Sequence, residues 1–115
     1  MSATDITYKV GDTRPFLDAT LKDASGPIDL TGITRVRFVL EDQDANEIVN
    51  ESSTGANVTI TSSTAGQVRY KWQVADLSSE GNFYAEWKVT FADDTVARFP
   101  NTRHIHLTVK PGLST

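Results

Sequence analysis

The sequence predicts an all-β fold: two antiparallel sheets packed face to face, with about 7–9 short strands. Three observations carry this. Apolar residues recur at spacing two in several separate runs, turn-forming residues interrupt the chain every ~8–12 positions, and no segment sustains a helical period over the ~10 residues that a globular helix needs. Strand side chains point alternately to opposite faces, so each alternating run has one face for a core and one for water.

The elements follow in order. Ile6-Thr7-Tyr8-Lys9-Val10 alternates and is read as a first strand, closed by Gly11-Asp12. From Phe16 to Lys22, Leu17, Ala19 and Leu21 share one face against Phe16, Asp18 and Thr20. Turns at Ser25-Gly26-Pro27 and Thr31-Gly32 lead into a strand in which Val36, Phe38 and Leu40 alternate with Arg35, Arg37 and Val39. Asp42 to Asn46 is a turn, Glu47 to Asn50 a weaker strand, Ser52 to Gly55 another turn, and Asn57 to Thr61 a short strand with Val58 and Ile60. After the Ser62 to Gly66 turn, Val68, Tyr70 and Trp72 oppose Gln67, Arg69 and Lys71. Val74 to Glu80 is expected as a helical turn capped by Asp76. The longest run sets Phe83, Ala85, Trp87, Val89 and Phe91 against Tyr84, Glu86, Lys88 and Thr90. Asp93-Asp94 reads as a tight hairpin turn. Ile105, Leu107 and Val109, against His104, His106 and Thr108, close the series. Glycine in these turns supplies positive φ, while Asn and Asp bond their own backbone.

The phrase from Asp76 to Phe83 matches the Asp, Gly and aromatic that lead into strand F of immunoglobulin-like domains, which narrows the sandwich to that type. The expectation is one domain over residues 1–115, with its core from about 5 to 110 and a loose tail at 111–115.

Composition restricts function. The chain has 15 acidic and 11 basic residues, a net charge of −4 and no cysteine. Disulfides, thiol nucleophiles and cysteine-held zinc are thereby excluded. Arg35, Arg37, Arg69 and Lys71 form the close basic pairs, with acids around them, so nucleic acid is not the expected partner. Met1 to Asp5 has neither a basic region nor an apolar run, so no signal peptide is read there, and synthesis in the cytoplasm of whatever cell makes it is expected. No stretch approaches the ~20 apolar residues of a membrane-spanning helix, and no membrane partner is expected.

The candidate sites are sparse. His104-x-His106 would place two imidazoles on one strand face, as a metal site needs, but no third ligand is spaced to join them. Two histidines on the wet face of a terminal strand is the preferred reading. Asp42-x-Asp44-x-Asn46 starts like a calcium loop, yet Glu47 and Ser53 stand where that loop needs Gly and Glu, so an acidic hairpin turn is preferred. Asp93 and Asp94 are adjacent and would diverge on a strand, whereas an acid–base pair must converge. The serines lack a nucleophile-elbow setting, and no glycine-rich phosphate loop is present. Trp72 and Trp87 can be sugar platforms or core residues, and their faces favour the core. Tyr84, on the polar face of an apolar strand, is either a cross-strand packing residue or part of a contact surface. The sequence thus points to no catalytic residue, no metal and no cofactor. Its candidate interaction surface is Tyr84, Asp42, Asp44, Asn46, His104 and His106.

Several phrases, taken in order, carry a resemblance. They are Gly11-Asp12-Thr13-x-Pro15, Ala19-Thr20-Leu21-x-Asp23, Pro27-Ile28-Asp29-Leu30-Thr31-Gly32 and Val36-x-Phe38. Gly66-Gln67-Val68-x-Tyr70-x-Trp72, Asp76-Leu77 and Gly81-Asn82-Phe83-Tyr84-Ala85-Glu86-Trp87-x-Val89-Thr90-Phe91 follow, then Phe99-Pro100-Asn101 and the strand around Ile105 to Val109. From about Val10 to Lys110 the chain resembles the immunoglobulin-like domain at the N-terminus of phage baseplate upper proteins (the BppU type) and of related minor tail proteins. Phe83 stands where a Tyr is common, and Asp93-Asp94 replaces the usual Asp-Gly turn. The resemblance implies a non-enzymatic structural or adaptor protein of a tailed-phage virion, in the tail tip or baseplate. Its implied partners are other phage structural proteins and copies of itself. It also implies that a longer fibre or receptor-binding module is not part of this chain. The alternatives are a module that binds host-surface carbohydrate or protein through its loops, and a capsid decoration protein.

Overall fold

A computed structural model of the chain describes residues 5–14, 16–99 and 105–111. Among them the strands are β1 (Asp5–Lys9), β2 (Leu17–Thr20), β3 (Lys22–Asp23), β4 (Gly26–Pro27), β5 (Arg35–Asp42), β6 (Glu47–Ser52), β7 (Val58–Ser62), β8 (Gln67–Tyr70), β9 (Gly81–Thr90), β10 (Val96–Phe99) and β11 (Ile105–Lys110). Apart from the two-residue pieces β3 and β4, which pair only with each other, the strands match the expected number.

The large sheet runs β1-β11-β9-β5-β6, and β10 also pairs with β9. β9 is its centre. One edge of β9 carries β5, from Phe83 to Thr90. The other edge is shared: β11 lies against Gly81 to Ala85 and β10 against Trp87 to Thr90. The small sheet is β2-β8-β7. This is the B-E-D against G-F-C-C′ arrangement of an immunoglobulin-like sandwich.

Alternation dictates the faces. Along β5 buried and half-buried residues alternate, with Val36, Phe38 and Leu40 inward. Along β9 the inward set is Phe83, Ala85, Trp87 and Val89. From the small sheet come Leu17, Val58, Val68 and Tyr70, and with Leu21, Trp72 and Leu77 they form one continuous core. Phe38 lies at its middle. It stacks on Tyr70 across the sandwich at 4.5 Å between centroids and meets Trp87 at 4.9 Å and Trp72 edge-on at 5.7 Å. Such ring pairs add to area burial. Both indoles are core residues, and neither offers a ring face to a sugar. Trp72 Nε1 donates to the Tyr8 hydroxyl at 2.9 Å, which anchors β1 from inside.

Two expectations need correction. β1 pairs with β11 in parallel, from Asp5↔His106 to Lys9↔Lys110, so the large sheet is not wholly antiparallel. Hairpin connection forces neighbours to run antiparallel, but these strands are joined through the whole domain and are free of that constraint. The segment 74–80 holds turns rather than helix. Asp76 does not cap forward: its Oδ2 accepts from the Gln73 N–H at 2.8 Å and from the Tyr70 hydroxyl at 2.6 Å, both upstream. Val74 is exposed and Leu77 alone is buried there, too little to hold a helix on the core.

Candidate functional site

The outward face of the large sheet carries Tyr84 and His106, two of the six residues singled out above. Register places Glu41, Tyr84 and His106 side by side on β5, β9 and β11. Tyr84 and His106 stack nearly parallel, 22° between planes and 5.4 Å between centroids, and His106 Nε2 lies 3.0 Å from Asn82 Oδ1. Tyr84 nevertheless keeps 39% of its surface open. Cross-strand packing, one of the two roles the sequence left open, is thus present, and part of the ring also stays exposed. His104 and the 100–104 segment lie outside the described residues.

The Asp42 turn borders the same region. Asp42 Oδ1 accepts from the N–H groups of Asp44 and Asn46, both at 2.9 Å, and Oδ2 accepts from Asn46 Nδ2 at 3.1 Å. The Asn46 bonds, ahead of those from Asp44, hold the Asp42 carboxyl below the usual carboxylate range. The Asp-x-Asp-x-Asn spacing is thus consumed by turn closure, with Ala45 at φ 64° completing it. Between this turn and Tyr84 runs a shallow groove of roughly 240 Å³, lined by Val39, Glu41, Gln43, Ala45 and Glu86 among others. Among the described residues, no three His, Asp or Glu side chains converge as metal ligands would.

Two features of this face escaped the sequence. Arg37 pairs in register with Lys88, and Lys88 with Arg98, so three cations stand in one row across β5, β9 and β10. Two rows along the strands, Glu41 faces Glu47 across the β5–β6 pair. Like charges placed directly opposite destabilise a sheet. The described partners relieve this only in part: Arg98 Nε reaches Glu86 at 3.2 Å, and Arg37 Nη1 donates to Asn50 Oδ1 at 3.1 Å. Wet-face Arg37 and Lys88 were visible as polar residues in alternating runs, but nothing local shows that they sit opposite one another.

No family model and no curated protein matches the chain. Solved structures do. CopC from Methylosinus trichosporium OB3b aligns at 9% identity and TM-score 0.53, over 99% of this chain and 90% of that one. Murine CRIg aligns at 12% identity over 96% and 92% of the two chains, with a TM-score of 0.38, too low to bear on the comparison. The CopC likeness is one of fold alone.

Proposed function

We propose that this chain is a structural or adaptor subunit of a tailed-phage particle, seated in the tail tip or baseplate and acting by protein–protein contact rather than catalysis. The observation that carries the reading is the outward face of the large sheet. It sets rows of like charge in register, at a cost to the isolated domain that a charged neighbour would offset. The ordered phrases from Gly11-Asp12-Thr13 to the last strand are what suggest the particle. Partners are then other tail or baseplate proteins and further copies of the chain, brought together in the closed symmetry usual for assemblies. Immunogold electron microscopy of virions with antibody to this chain tests the reading. Label is expected at the tail end of the particle, and particles that bind none would refute it.

A further inference from the structure

The outward face of the large sheet is electrically bipolar along its strands. The Arg37–Lys88–Arg98 row lies towards one end, with Arg35 beyond it, half-buried and with its Nε lacking any partner. Towards the other end are Glu41 and Glu47, with the Asp42 turn behind them. Arg37 and Glu41 are four positions apart, about 13 Å of strand. Between the rows sits half-buried Val39, in register with Glu86. Among the described residues the ion pairs are Arg69–Asp18, on the small sheet, and Arg98–Glu86, so opposite charge is placed against Arg98 in the one row and against neither Glu41 nor Glu47 in the other.

We infer that this face binds a second copy of the same chain, strands antiparallel, as a reversible dimer. A copy turned by 180° about an axis crossing the strands at the level of Val39 keeps β5 over β5 and β9 over β9 and exchanges the ends. Arg37 of each copy then lies over Glu41 and Glu47 of the other, and Lys88 over the exposed part of Tyr84. Val39 meets its own counterpart on the axis, and so does Glu86, whose charge Arg98 of the same copy offsets. The contact is isologous, so each complementary pairing occurs twice. Four strand positions at about 4.8 Å by eight residues at about 3.4 Å give a face of roughly 500 Å². A standard interface buries about 800 Å² per partner, so the pair is weak and owes much of its specificity to charge.

The inference does not rest on the phage assignment. The test is sedimentation equilibrium of the intact chain from about 1 to about 500 µM, in about 0.05 M and about 0.5 M salt. A dimer is expected that weakens on the order of tenfold at the higher salt, because facing charges are screened. The doubly reversed variants Glu41→Lys with Glu47→Lys, and Arg37→Glu with Lys88→Glu, are each expected to lose self-association by at least about tenfold. Mixed together they are expected to form a one-to-one heterodimer, a result that misfolded variants cannot produce. Monomer throughout for the wild type, undiminished dimer in either variant, or no association on mixing overturns the inference. A dimer in solution from a chain absent from virions would sink the phage assignment and leave this face standing, while labelled virions with a monomeric chain would do the reverse.

Discussion

Replacing Gly66 by alanine probes how closely the β7–β8 turn approaches the base of the β3–β4 hairpin. Gly66 has φ +67°, and a Cβ built there would lie 2.7 Å from the Ile28 carbonyl oxygen and 2.9 Å from that of Leu21. Both are backbone atoms, so no side chain can swing aside. The Leu21 oxygen accepts from the Ile28 N–H at 2.9 Å, and the Leu21 N–H donates to the Gly66 oxygen at 2.8 Å. Gly32 is the control, with φ +77° and open space around its Cβ position. Left-handed backbone costs an L-residue roughly 1–2 kcal/mol, and Gly32→Ala is expected to lose about that much. Gly66→Ala adds the displacement of two backbone hydrogen bonds at about 1 kcal/mol each, for a total of roughly 3–4 kcal/mol. Urea denaturation followed by fluorescence of the buried indoles measures both, and an unchanged slope would show that the two-state comparison holds. In Tm the loss is worth about 4 °C per kcal/mol at this chain length. If the two variants agree within about 0.5 kcal/mol, the close approach contributes nothing and the reasoning fails.

Other perturbations separate polar from apolar contributions inside the core. Tyr8→Phe leaves buried Trp72 Nε1 without its acceptor and is expected to cost about 1–3 kcal/mol in the same assay. Tyr70 titrates well above the ordinary phenol value of 10.0, first because of burial and then because its hydroxyl donates to Asp76. A group whose folded pKa lies above its unfolded one contributes stability that is complete below the unfolded value and fades above it. The denaturation midpoint is therefore expected to fall as pH rises past about 10. In Tyr70→Phe that fall is expected to be shallower. An unchanged slope would mean that the phenol does not couple folding to pH.

The core was legible because it depends on local alternation. Val36, Phe38 and Leu40, the odd-numbered set from Phe83 to Val89, and Ile105, Leu107 and Val109 are all inward as their spacing requires. Weaker patterns failed for identifiable reasons. Val96 to Phe99 was not read as a strand, since Val96 is exposed and only Phe99 is fully buried. Asp42-x-Asp44-x-Asn46, by contrast, is the acidic turn that was preferred over a cation loop, and the direction of its hydrogen bonds shows it. Asp76 was expected to cap a helical turn ahead of it, but its partner Tyr70 lies behind it, which spacing alone does not reveal. The charge rows were the least visible. Which residue of β5 faces which residue of β9 depends on register across more than forty positions of chain, and a slip of one would turn every side chain over.

The parallel pairing of β1 with β11 has a mechanical consequence. The chain enters this pair at Asp5, beside His106, and leaves it at Lys110, beside Lys9. Tension applied through those two points pulls the strands lengthwise past each other and loads the rungs from Asp5↔His106 to Lys9↔Lys110 together. An antiparallel terminal pair would unzip one rung at a time. The domain is thus expected to yield abruptly and at higher force when stretched along its ends than when gripped across the β5–β6 hairpin, a difference that optical tweezers would resolve as two distinct unfolding rates. A fold closed by shear in this way can sit in line with a load and transmit it without opening.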